Sequence, residues 1–106
     1  MRELKKLVDE INEELEGIED YLCCAAKAKA EGRHDDYNDY MSLATAEMEH
    51  PPKLHKIAVR IIDRWKTAHP DAVVPEYMTE MWDEAHANYM ECFAKLKYKM
   101  ELVKME

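Results

Sequence analysis

The stretch LKKLVDEINEELEGIEDYLCCA, residues 4–25, decides the fold of this 106-residue chain. Its apolar residues recur every three or four positions, the spacing of one buried face of an α-helix. They are Leu4, Leu7, Ile11, Ile18, Tyr21 and Ala25, with Val8, Leu15 and Leu22 beside them. The same repeat includes Glu14. The pattern therefore predicts a long helix with a carboxylate inside its apolar stripe.

A second stripe with the same spacing follows Gly32. Its members are Tyr37, Tyr40, Ala44, Glu47, Pro51, Leu54, Ala58, Ile61 and Trp65. Glu47 stands where leucine or alanine is expected, and His50 lies on the same helix face one turn later. A lone buried carboxylate either protonates or destabilises the fold by several kcal/mol. We therefore expect Glu14 and Glu47 to point inward and to bind a cation together with His50.

Composition favours an all-α protein. The chain is 47% hydrophobic with only two glycines and four prolines, and no segment alternates with the period of a strand. The length predicts one helical domain over residues 1–106, small enough for oligomerisation to add useful buried surface. The formal charge of −8 offers no basic patch for nucleic acid.

The same reading predicts a cytoplasmic protein that does not enter a membrane. No apolar run approaches the ~20 residues of a membrane span, and no signal-peptide core follows Met1. Three cysteines, with Cys23 and Cys24 adjacent, form neither a disulfide framework nor a zinc motif. We expect them to be reduced, and either Cys23 or Cys24 to be buried.

Three helical segments are predicted, over residues 3–31, 37–65 and 75–106. Gly32 should end the first segment, and Asp35 or Asp36 should cap the second. Pro75 suits the first turn of the third. Pro51-Pro52 interrupts the second segment, because proline inside a helix costs about 3 kcal/mol. We expect a kink or a break there, with the apolar stripe resuming in phase beyond it.

The two acids should meet at one level. A turn at Gly32 makes the first two segments an antiparallel hairpin, and Glu14 and His50 each lie 18 residues from that glycine. At about 1.5 Å per residue, both lie roughly 27 Å from the turn. Glu47 lies one turn nearer, opposite Gly17, whose small size leaves room for a metal cluster or a close helix contact.

At this point the sequence resembles the ferritin-like superfamily, especially bacterioferritins and rubrerythrins. The runs that carry the resemblance are EELEGIEDY, residues 13–21, and AEMEH, residues 46–50. Glu14 in the first run and Glu47 in the second are separated by 33 positions. The resemblance implies that Glu14 is a terminal ligand, Glu47 a bridging ligand and His50 a nitrogen ligand, with Tyr21 hydrogen-bonded beside them. The resemblance covers roughly the first 65 residues. A ferritin-like monomer has two further ligand helices, whereas this chain has only one helical segment left.

Two arrangements complete such a site. One uses the third segment, where Asp83 and His86 repeat the motif in shortened form, although their level matches His55 better than His50. The other is a two-fold dimer that builds a four-helix bundle from two hairpins, as encapsulated ferritin-like proteins do. The dimer supplies four carboxylates and two imidazoles. The charge of −4 on the carboxylates balances two divalent cations.

The expected function is therefore that of a small di-metal protein binding iron, or alternatively manganese or zinc. Ferroxidase or O2- or peroxide-reducing activity would follow from the resemblance. No separate general base or substrate-pocket motif points to a hydrolase. The alternative is a structural or adaptor helical protein that keeps the fold without metal, its eight methionines serving a core or an adaptable interface.

Overall fold

The computed structural model describes residues 2–106 and contains four helices. They are α1 (Arg2–Ala30), α2 (His34–Glu47), α3 (His50–Ala68) and α4 (Glu76–Met105). Within the described residues there is no strand, which confirms the predicted all-α class. None of the four helices is both long and apolar enough to cross a membrane.

The turn after α1 depends on Gly32. Its φ of +73° lies in the left-handed region, which glycine adopts without steric strain. The Arg33 N–H donates to the Ala28 carbonyl at 2.8 Å and closes the end of the helix. The predicted stop at Gly32 is therefore confirmed.

The predicted cap of the next helix is wrong by two or three residues. Arg33 occupies the capping position, and no side-chain hydrogen bond caps the helix. Asp35 and Asp36 lie inside the first turn, where acidic side chains favour the positive end of the helix dipole. Asp36 instead accepts a hydrogen bond from Arg33, with Nη1 and Oδ2 separated by 2.7 Å.

The break at Pro51-Pro52 is confirmed. Helix α2 ends at Glu47, and α3 begins at His50 with the two prolines in its first turn. Proline is tolerated there because the first amides of a helix have no intrahelical acceptor. The site residues Glu47 and His50 therefore lie on opposite sides of a break between two helices.

Helix α1 packs against each of the other three helices. The molecule is a rod with principal extents of 61 × 17 × 17 Å, in which α1 and α4 run parallel. Lys29, near the C-terminal end of α1, donates through Nζ to the Val103 and Lys104 carbonyls at 2.9 and 3.1 Å. A lysine thus satisfies carbonyls at the last turn of α4, which have no intrahelical donor.

The core forms two clusters along the rod. The larger includes Ile18 and Leu22 of α1, Met41 and Ala44 of α2, and the second half of α4. The smaller joins the start of α1 to α3 and to the start of α4. Glu14 lies within the span of α1 that forms the larger cluster, between its members Ile11 and Leu15.

Leu22→Ala should lower the free energy of unfolding by about 2–5 kcal/mol, because Leu22 is fully buried in the larger cluster. Urea denaturation followed by circular dichroism measures the change. Leu102→Ala, on the exposed side of α4, is the matched control and should stay within about 1 kcal/mol of the wild-type protein. Equal losses for the two variants would contradict this description of the core.

Candidate metal centre

Three helices bring the predicted ligands together. Helix α1 contributes Glu14, α2 contributes its last residue Glu47, and α3 contributes its first residue His50. The His50 Nδ1 atom lies 3.2 Å from Glu14 Oε2 and 3.5 Å from Glu47 Oε2. One ligand atom from each residue lies within 4.8 Å of the other two. The level predicted from the distances to Gly32 therefore agrees with the geometry.

The expectation that the acids point inward is met only in part in the single chain. The side chains of Glu14 and Glu47 are 28% and 29% exposed, and that of His50 is 49% exposed. No charged or polar residue is buried within residues 2–106. The apolar stripes are wider than the surfaces that α1 and α2 bury against each other, so a long side chain at the stripe edge reaches solvent.

The two carboxyls interact directly. A hydrogen bond that protonated Glu47 donates to Glu14 raises the pKa of Glu47, and partial burial and the Glu14 charge raise it further, whereas His50 acts in the opposite direction. Two neighbouring carboxyls share a proton because both cannot ionise without repulsion. Glu47 is thus the acid of this cluster that binds its proton more tightly than an isolated glutamate does.

The donor set fits a divalent transition-metal ion. At metal–ligand distances of about 2.1 Å, neighbouring ligands are about 3 Å apart, close to the spacing from His50 Nδ1 to each carboxylate oxygen. Two carboxylates and one imidazole suit iron, manganese or zinc. Three donors leave at least one coordination position open, since zinc takes four ligands and octahedral ions take six.

The surface beside these residues is open. A Cβ atom added at Gly17, one turn after Glu14, would meet no atom within 4 Å. No contact within the chain therefore requires a glycine at position 17. Tyr21 packs against the larger core cluster, and no hydrogen bond joins its hydroxyl to Glu14, Glu47 or His50 within residues 2–106. The hydrogen bond implied for Tyr21 by the resemblance is absent here.

The other candidate ligands, Asp83, His86 and His55, lie elsewhere along the rod. His86 of α4 meets His55 of α3, with Nδ1 and Nε2 separated by 2.9 Å, at the level that the sequence predicted. Asp83 is exposed and joins no group of three metal-binding side chains among residues 2–106. Burial lowers the pKa of His55, and the neighbouring His86 adds to this effect. The proposed set Asp83, His86 and His55 is thus reduced to the two histidines.

One polar cluster between α1 and α4 was missed by the sequence reasoning. Lys99 Nζ lies 2.6 Å from Glu19 Oε1 and 3.2 Å from Cys23 Sγ. Cys23 is exposed and Cys24 only half-buried, so the expectation that one of them is buried is wrong, while all three cysteines are free as expected. If α4 had been expected to run parallel to α1, Glu19 and Lys99 would have been predicted to lie side by side.

Comparisons with protein-family models, with curated proteins and with solved structures find no match to this chain. The ferritin-like resemblance therefore depends on the residues of the two runs alone.

Replacing Glu47 by Gln should stabilise the metal-free protein at neutral pH. The folded-state pKa of Glu47 is raised above its unfolded value, so the folded state binds the proton more tightly. That contribution to stability is complete below the unfolded pKa and is lost as pH rises through the raised value. Thermal unfolding in EDTA from pH 4 to 8 should show this loss in the wild-type protein and a smaller one in the variant.

Glu13→Gln is the matched control, because Glu13 is exposed and precedes Glu14 without joining the cluster. Its pH profile should follow that of the wild-type protein. A Glu47→Gln profile parallel to the wild-type profile would show that Glu47 and Glu14 do not share a proton.

Proposed function

We propose that this protein is a small carboxylate–histidine metal-binding protein of ferritin-like type. The observation that carries the proposal is the convergence of Glu14, Glu47 and His50 from three separate helices. Iron is the principal expected ion, with manganese and zinc as alternatives, because the donor set is oxygen-rich with one imidazole. The spacing of the two sequence runs supports the same assignment.

The proposed site is completed by a second copy of the chain. Three donors from one chain occupy half of a di-metal ligand set, and a two-fold axis doubles them to four carboxylates and two imidazoles. The half-site is open to solvent, as a shared site requires. Next to it lie Gly17, with nothing facing its Cα, and Leu43, which is 45% exposed one turn before Glu47. A two-helix hairpin from each copy would form the four-helix bundle.

Bound iron would supply one-electron chemistry with O2 or peroxide. The side chains of the protein would bind the ion, and one of them would bind or release a proton. Ligation would require the ionised carboxylate, and because the pKa of Glu47 is raised, protons would compete with the ion for this ligand. Binding is therefore expected to weaken at low pH. Glu14 and His50 would hold the ion from the two sides of the α1–α3 contact.

Purified protein should bind one Fe(II) ion per chain, two per dimer, under anaerobic titration. Glu47→Ala and His50→Ala should weaken binding at least about tenfold, since each removes a ligand. Glu49→Ala is the matched control, because Glu49 is exposed in the break between α2 and α3 and lies outside the cluster. Circular dichroism verifies that each variant is folded. Wild-type affinity in both ligand variants would refute the site.

Gly17→Ala should have opposite effects on the stability of the single chain and on dimer formation. Because the added Cβ meets nothing within 4 Å, higher helix propensity should stabilise the isolated chain by up to about 1 kcal/mol. In a dimer with a helix packed at Gly17, the same methyl group should weaken association. Analytical ultracentrifugation with Fe(II) measures this, with Ser42→Ala on the exposed face of α2 as control. Unchanged association in Gly17→Ala would argue against this dimer face.

A second candidate function is a metal-free structural or adaptor protein. The observation in its favour is that the three side chains already pair with one another, since His50 Nδ1 lies 3.2 Å from Glu14 Oε2 and 3.5 Å from Glu47 Oε2. No buried side-chain polar atom within residues 2–106 lacks a partner. This function predicts a melting temperature that does not respond to Fe(II) or Mn(II), the ions that favour the carboxylate cluster.

A further inference from the structure

Two imidazoles face each other across the contact between α3 and α4, away from the three-ligand cluster. His55 Nε2 lies 2.9 Å from His86 Nδ1. Neither ring has an ion pair with an acidic side chain within residues 2–106, where the only such histidine contacts involve His50. Each ring therefore has the other as its polar partner.

Aromatic side chains fix the orientation of this pair. The His55 ring stacks on the buried Tyr89, with centroids 4.6 Å apart and planes 21° apart. Trp82 lies 5.2 Å from His55 and 6.0 Å from His86, measured between ring centroids. Trp82, His86 and Tyr89 occupy successive turns on one face of α4, so the helix presents all three towards α3. The pair is thus held on two helices rather than on loops.

We propose that His55 and His86 form a bidentate site for a late-transition divalent cation that prefers nitrogen ligands, such as Ni²⁺, Cu²⁺ or Zn²⁺. Two ligands about 2.0–2.1 Å from one ion and subtending a right angle, as in octahedral or square-planar Ni²⁺ and Cu²⁺, lie about 2.9 Å apart, the separation of Nε2 and Nδ1. The wider tetrahedral angle of Zn²⁺ would require the two nitrogens to move apart to about 3.3 Å. The observed separation also suits a hydrogen bond, so the pair can alternate between a shared proton and a shared ion.

Proton balance makes this exchange straightforward. In the hydrogen-bonded pair, one facing nitrogen carries a proton and the other carries a lone pair. When an ion binds, the donor ring moves its proton to its remote nitrogen through solvent, and both facing nitrogens become ligands. No net proton need be lost if both rings are neutral. His86 is exposed, so water can fill the remaining coordination positions.

The ligand chemistry distinguishes this site from the three-ligand cluster. Imidazole without carboxylate favours nickel, copper and zinc over magnesium, calcium and manganese. Because α3 and α4 contribute one ligand each, a bound ion cross-links two helices and stabilises the folded state by mass action. This site does not depend on the proposed function of Glu14, Glu47 and His50.

The test uses the full chain carrying Glu14→Gln and Glu47→Gln, which removes the carboxylate cluster, and Ni²⁺ as the probe. Imidazole NMR signals of His55 and His86 should broaden together, before those of His34 and His69. At a free Ni²⁺ concentration of about ten times Kd, the melting temperature should rise by roughly 5 °C or more. The NMR readout assigns the ion to individual rings, so thiol binding elsewhere does not obscure it.

Adding His86→Asn should abolish both effects, and the exposed position of His86 makes loss of folding unexpected. His34→Asn, at the start of α2, is the matched control and should leave both effects unchanged. The proposal is overturned if Ni²⁺ causes no paired broadening, or if the rise in melting temperature survives His86→Asn. Failure of Fe(II) binding in the wild-type protein would leave this result untouched.

Discussion

The structure depends on burying one face of α1. Every other helix packs against it, and both core clusters contain α1 residues. Ile18 and Leu22 have no exposed surface, and they hold α2 and α4 to α1 within the larger cluster. Because α1 runs along more than half of the 61 Å rod and contacts every other helix, its regular geometry sets the level at which residues of the other helices meet. The position of Glu14 on α1 therefore determines which residues of α2 and α3 can reach it.

Much of this fold follows from the sequence for identifiable reasons. Gly32 ends α1 because only a residue free of Cβ strain takes a positive φ easily. Pro51-Pro52 divides the second segment because proline cannot donate to the preceding turn. The meeting of Glu14 with His50 follows from counting residues on either side of Gly32. These features depend on local chemistry and a fixed rise per residue, both of which sequence reveals directly.

Other features depend on how the helices face one another, which local pattern does not determine. Glu14 belongs to the apolar repeat of α1, yet the neighbouring helix covers too little of that face to bury it. Cys23 is exposed near Lys99 because α4 returns parallel to α1, a register with no local signature. The choice of Arg33 over Asp35 as the capping residue is similarly set by the tight turn at Gly32.

The break between α2 and α3 gives the cluster a mechanical role. Glu47 and His50 belong to two rigid rods joined by Met48 and Glu49, so the angle between those rods and the separation of the two side chains change together. A cation bound by both side chains would therefore tie the end of α2 to the start of α3 as well as to α1. The proline break would then be bridged by a ligand contact in place of the backbone hydrogen bonds that proline removes.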